Sequence, residues 1–153
     1  QALTRARFVA GNAETGELFT AIRKQVLTAP RDKDHTRHEV LSMRGRIQAE
    51  HGAGNLLKFS EGGLLDIEFV VQLGLLLNAR EFPEVIISTQ MGLQMKSLLD
   101  CGGFSPDACQ ALDDAYAQLS RLRQRNALID DSAQAEKLAL VNTAQAFCNE
   151  ILR

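Results

Sequence analysis

The stretch LLDIEFVVQLGLLLNAR, residues 64–80, decides the fold. It is apolar on nearly every face of a 3.6-residue repeat, which marks a central helix enclosed on several sides rather than an amphipathic helix lying on a surface. Its longest apolar run carries Asp66 and Glu68 and falls short of the roughly 20 apolar residues that a bilayer span needs. Phe82 and Pro83 end it. Residues 52–63 in front of it hold four glycines and only a short apolar patch, so they are expected to form an ordered loop rather than a helix.

Working outward, helical spacing recurs along most of the chain, and the expectation is an all-α bundle of about six helices. A first helix is expected up to Val9, ended by Gly11 and Asn12. A second covers residues 15–28, with Leu18, Ile22 and Val26 on one face. The third starts behind Asp32 or Asp34 and carries Val40, Met43 and Ile47 before His51 and Gly52 end it. After the central helix, residues 85–88 fit a brief strand, and Thr89 fits the N-cap of a helix carrying Met91, Met95 and Leu98. Ser105 as N-cap, Pro106 as first helical residue and Asp107 in the first turn open a helix with the stripe Ala108, Leu112, Ala115, Leu119 and Leu122. Ser132 is expected to cap the last helix, which bears Leu138, Val141, Ala144, Ala146 and Cys148.

The composition of the 153 residues fits one soluble globular domain: 45% hydrophobic, 24% charged and 5% aromatic. Seventeen basic residues against nineteen acidic ones leave a formal charge of -2, too little positive charge for general binding to nucleic acid or to an anionic membrane. Cys101, Cys109 and Cys148 are odd in number and lack CxxC spacing, so buried or idle thiols are expected rather than a disulfide framework or a zinc site. With Gln1 in first position and no leader pattern, the expectation is a fragment of a longer protein.

Chemistry concentrates in residues 58–72, KFSEGGLLDIEFVVQ. A glycine pair before a helix leaves backbone N–H groups and the positive end of the helix dipole available to a carboxylate or phosphate, and Lys58 could complete such a seat. The plainer reading is that Gly62 and Gly63 turn the chain and Asp66 neutralises the helix start; both stay open. Glu68 and Gln72, four apart, share one face of an otherwise apolar helix and need partners or a cleft to reach into. Asp66 and Glu68 would form an alternating metal-holding acidic pair only on a strand; on a helix they diverge by about 200°. His35, His38 and Glu39 fit a solvated face better than a ligand cluster. Arg121, Arg123 and Arg125 with Arg5 and Arg7 fit either an anion patch or simple helix-dipole complements. No nucleophile elbow, Walker A, HExxH or dinucleotide fingerprint is present.

In order, QALTRARFVAGN, IRKQVLTAPRD, EVLSMRGRI and KFSEGGLLDIEFVVQ resemble the C-terminal part of the bacterial glutamine synthetase adenylyltransferase family. The likeness covers about the first half of the chain; beyond Phe82 only the helical pattern agrees. The family has two halves, each a nucleotidyltransferase domain followed by a helical domain; one attaches AMP to a tyrosine of glutamine synthetase and the other removes it. The resemblance implies that this chain is the single helical domain, residues 1–153, of the adenylylating half. The catalytic carboxylates, magnesium and ATP would then belong to the missing nucleotidyltransferase domain, so the fragment alone is expected to be inactive and to hold no metal.

Combining both readings, Lys58, Gly62, Gly63, Asp66, Glu68 and Gln72, joined by Arg5 and Arg7, are expected to line the cleft toward that domain. Asp66→Ala is expected to lower adenylylation with the fold intact. Glu61, where many relatives have a neutral residue, makes direct phosphate contact at the glycine pair less secure. Implied partners are glutamine synthetase and the signalling protein PII, in the cytoplasm, with no nucleic acid and no membrane. The alternative is a regulatory or docking module that binds PII, glutamine or glutamine synthetase without touching nucleotide.

Overall fold

The computed structural model describes residues 1–51, 56–128 and 134–152. The described residues form seven α-helices, α1 (Ala13–Leu27), α2 (Lys33–His51), α3 (Leu56–Phe59), α4 (Leu64–Asn78), α5 (Met91–Asp100), α6 (Pro106–Leu128) and α7 (Gln134–Leu152), and two 3-10 turns, Ala2–Thr4 and Pro83–Ile86, with no strand among them. The all-α reading is therefore correct, and its centre is the helix that the sequence singles out. Ile67, Val70, Val71, Leu73 and Leu75 of α4 are fully enclosed, and the helix packs against α2, α3, α5, α6 and α7. Helices so enclosed draw their stability from burial on every face rather than from one amphipathic stripe. No helix of the described residues is long and apolar enough to cross a membrane.

The start of α6 follows the sequence closely: the Ser105 hydroxyl accepts from the Ala108 N–H at 3.2 Å, and all five stripe residues face the core. Ser132, expected to cap α7, lies outside the described residues, as does the side chain of Leu138. Val141, Ala144 and Cys148 are buried, whereas Ala146 is exposed. α7 lies alongside α6 and also reaches α4 and α3.

Four local expectations are corrected. The first residues form only the turn Ala2–Thr4, because their carbonyls are claimed by distant side chains. Arg23 of α1 donates from Nε to the Leu3 carbonyl at 2.8 Å and from Nη2 to the Thr4 carbonyl at 3.1 Å. Gln94 of α5 adds a bond to the Thr4 carbonyl at 2.9 Å. Second, α1 turns its apolar stripe outward: Leu18, Ile22 and Val26 are exposed, and Gly16, Arg23 and Leu27 face inward. Third, residues 56–59 of the expected loop make the short helix α3, since Leu57 finds a place in the core. Fourth, residues 85–88 form no strand, since Pro83–Ile86 is a 3-10 turn, and Gln90, not Thr89, occupies the N-cap of α5.

Candidate functional site

The glycine turn before α4 is closed by the protein's own carboxylate. Asp66 stands in the first turn of α4 and reaches back, so that Oδ2 accepts from the Gly62 N–H at 2.8 Å. This is a shortened relative of the capping box, in which an acidic side chain in the first helical turn satisfies an N–H ahead of the helix. From α2, Arg44 makes a two-pronged pair with the same carboxylate, Nε to Oδ1 at 2.7 Å and Nη2 to Oδ2 at 2.6 Å. Planar bidentate pairs of this kind are among the stronger charge-assisted bonds. Those bonds, working against partial burial, raise the Arg44 pKa.

The lid over this clasp is α7. Gly62 has φ +78°, and a Cβ placed on it would stand 2.2 Å from the Val141 carbonyl oxygen and 2.8 Å from the Gln145 nitrogen. Gln145 also donates to Glu61 at 2.6 Å, which gives the acid at position 61 a role in holding α7 to the turn. Cys148 lies below, and its thiol is pushed up to about 12 by burial first and by the Asp66 charge second, with Arg44 opposing.

The Cys148 shift has a pH consequence with a definite sign. In the unfolded chain the thiol titrates near 9.0 and in the folded chain near 12. Between these values the native state holds a proton that the unfolded state has lost. The contribution is therefore intact below about pH 9 and drains away as pH rises toward 12, by about 1.4 kcal/mol per pH unit. Urea denaturation at pH 8 and pH 10.5 should show this loss in the parent protein, and a smaller loss in Cys148→Ala. Equal slopes in the two proteins would mean that the thiol is not held in its protonated form.

On the far side of α4, Glu68 meets Arg5 at 2.9 Å, and the two side chains are 21% and 43% exposed. Tyr116 of α6 stands alongside as a further hydrogen-bond partner of Arg5. Partial burial opposes the Arg5 charge, but Glu68 and Tyr116 more than offset it, and the pKa is raised. Gln72, one turn further along α4, is half-buried. Lys58 sits over the Phe59 ring, 4.8 Å from its centre, and Arg7 is exposed in a cleft beside α1.

The eight residues expected on one cleft face thus divide. Gly62, Gly63 and Asp66 are buried together under α7 and α2, which corrects the expectation that they are open to a ligand or neighbour; Asp66 is 3% exposed. Arg5, Glu68 and Gln72 keep partial access to solvent, Lys58 on α3 is half-buried, and Arg7 belongs to a separate place. The divergence follows from the helical period: positions 66 and 68 point to nearly opposite sides of α4. Arg44 is the member that sequence reasoning missed. Its only local signal is a basic residue inside α2, and nothing in the spacing says that it faces position 66.

Among the described residues no group of three or more His, Cys, Asp or Glu is placed to hold a metal ion. Both oxygens of Asp66 are already engaged by Arg44 and Gly62, so Asp66 does not fit a metal-ligand role.

A profile described as GlnD PII-uridylyltransferase matches residues 32–144. Curated relatives carry the name bifunctional glutamine synthetase adenylyltransferase/adenylyl-removing enzyme. The one from Burkholderia pseudomallei is 39% identical over 128 residues, 82% of this chain and 14% of the relative. That from Chromobacterium violaceum is 36% identical over 154 aligned residues, 100% of this chain and 17% of the relative. A third, from Neisseria meningitidis serogroup B, is 33% identical over 137 residues, 89% of this chain and 15% of the relative. The chain thus spans about one-seventh of the length of the curated relatives it matches.

Proposed function

Since the chain belongs to the GlnD PII-uridylyltransferase family, we propose that it serves as a helical domain of a glutamine synthetase adenylyltransferase, in the half that transfers AMP from ATP to a tyrosine of glutamine synthetase and so regulates nitrogen assimilation. The observation that carries this reading is the match of 82% to 100% of the chain, at 33% to 39% identity, to enzymes of that name. On this reading the enzyme works in the cytoplasm, magnesium and ATP are held by a preceding nucleotidyltransferase domain, and this chain supports the cleft between them.

Two features of the geometry support this reading. The Asp66–Arg44–Gly62 clasp fixes the start and rotation of α4 from within, and the opposite face of the same helix presents Glu68 and Gln72 with Arg5 beside them. A helix locked on one side keeps the other in register, and small displacements of positioning groups are costly to transfer reactions. Glu68, Arg5, Gln72 and Lys58 are the accessible positioning residues, and Asp66 acts through them.

The test is made in the longer enzyme that contains this chain. Glu68→Gln is expected to lower the kcat of adenylylation by about tenfold, with an unchanged melting temperature, because the pair it breaks is partly exposed and such pairs contribute little to stability. If the transfer rate and nucleotide binding persist in Glu68→Gln and Lys58→Ala while control by PII or glutamine is lost, the regulatory docking reading replaces this one.

A further inference from the structure

A cleft of about 370 Å³ between the N-terminal segment, α1 and residues 87–89 holds chemistry that the support role leaves unused. Arg7, Arg23, Thr20 and Thr89 line it together with Phe8 and Ile87, and no Asp or Glu is among its lining residues. Arg23 is the unusual member. It is only 7% exposed, and it donates to three backbone carbonyls, those of Leu3, Thr4 and Ile86. A guanidinium carries five N–H donors, so two remain. Burial alone shifts its pKa, downward, with no carboxylate contributing. A cation enclosed without a counter-charge is costly, and an anion brought to it relieves that cost.

The rim adds a second requirement. Phe8, its ring seated against Gly16 of α1, is 40% exposed, and Ile87 is 78% exposed. A free inorganic anion would satisfy the two arginines and leave this apolar rim in water. Large apolar side chains bordering a charged recess are the ordinary mark of a protein contact.

We propose that this cleft is a docking site for a protein segment in which one acidic side chain is flanked by apolar ones. The carboxylate enters between Arg7 and Arg23, and the apolar neighbours cover Phe8 and Ile87. The two arginines supply the charge complementarity, and the chain's overall charge of -2 makes this recess locally distinct.

The test uses the 153-residue chain and three probes: a capped heptapeptide with aspartate between leucines, its asparagine counterpart, and sodium phosphate. Binding is read from the NMR signals of the Arg23 Nε–H and the amides of residues 87–89. The aspartate peptide is expected to shift these signals saturably, with the asparagine peptide at least about tenfold weaker and Arg7→Ala weakening the aspartate peptide by about fivefold or more. Arg7 is exposed, so its replacement leaves the fold in place, and the spectrum of the free variant verifies this. Equal binding of both peptides, or no shift with either, overturns the proposal. Phosphate binding as tight as the aspartate peptide's also overturns it, since the recess would then be a small-anion site.

Discussion

Replacing Asp66 with alanine is expected to lower the stability of the chain by about 3–5 kcal/mol, the usual cost of stripping one partner from a buried charge pair. The loss has three parts. Arg44, itself largely enclosed at 15% side-chain exposure, is left without its counter-charge. The Gly62 N–H, buried under α7, is left without an acceptor. The first turn of α4 also loses an acid that complements the helix dipole. Urea denaturation at neutral pH measures the sum. Asp66→Asn, which keeps an acceptor for Gly62 but removes the charge, is expected to fall between the parent and the alanine variant. This outcome differs from the simpler expectation that Asp66→Ala impairs transfer and spares the fold, and the reason is that the carboxylate is spent internally. A cost under about 1 kcal/mol would place Asp66 in contact with solvent.

Gly62→Ala is expected to be comparably severe, for an unrelated reason. Its backbone lies at φ +78°, where an L side chain costs about 1–2 kcal/mol. The added methyl would also stand 2.2 Å from the Val141 carbonyl oxygen, so α7 must move. Overpacking of this kind costs a further 1–3 kcal/mol, roughly. The obstruction is backbone, so no side-chain rotation relieves it. Besides the lower melting temperature, the displaced helix should uncover Cys148, which is 1% exposed in the parent. Labelling with a thiol reagent at pH 8 is expected to proceed faster at Cys148 in the variant than global unfolding allows. Protection equal to the parent's, with an unchanged melting temperature, would show that α7 does not rest on the turn.

What was legible in the sequence was whatever local pattern decides. An all-round apolar run can only be a buried centre, and Ser105-Pro106-Asp107 can hardly be anything but a helix start. The misreadings have a common origin in long-range partners. QALTRARF has helical propensity, yet Arg23 and Gln94, 19 and 90 residues away from Thr4, claim its carbonyls. Leu18, Ile22 and Val26 obey the helical repeat, but periodicity identifies a face without saying whether this part of the chain covers it. In residues 58–72 the glycine pair and the acid mark a helix start, and the sequence leaves open whether an outside anion or Asp66 itself closes it. That the anion is Asp66 itself depends on Arg44 arriving from α2, which no spacing rule reveals.

The most direct measurement of the central claim, that an internal Asp66–Arg44–Gly62 clasp sets α4, is a double-mutant cycle with Asp66→Ala, Arg44→Ala and the double variant, followed by urea denaturation. The clasp predicts a double variant far less damaged than the sum of the single ones, with a coupling energy of about 2–3 kcal/mol. Additive effects, within about 0.5 kcal/mol, would mean that the two side chains do not hold each other and that α4 is positioned by packing alone.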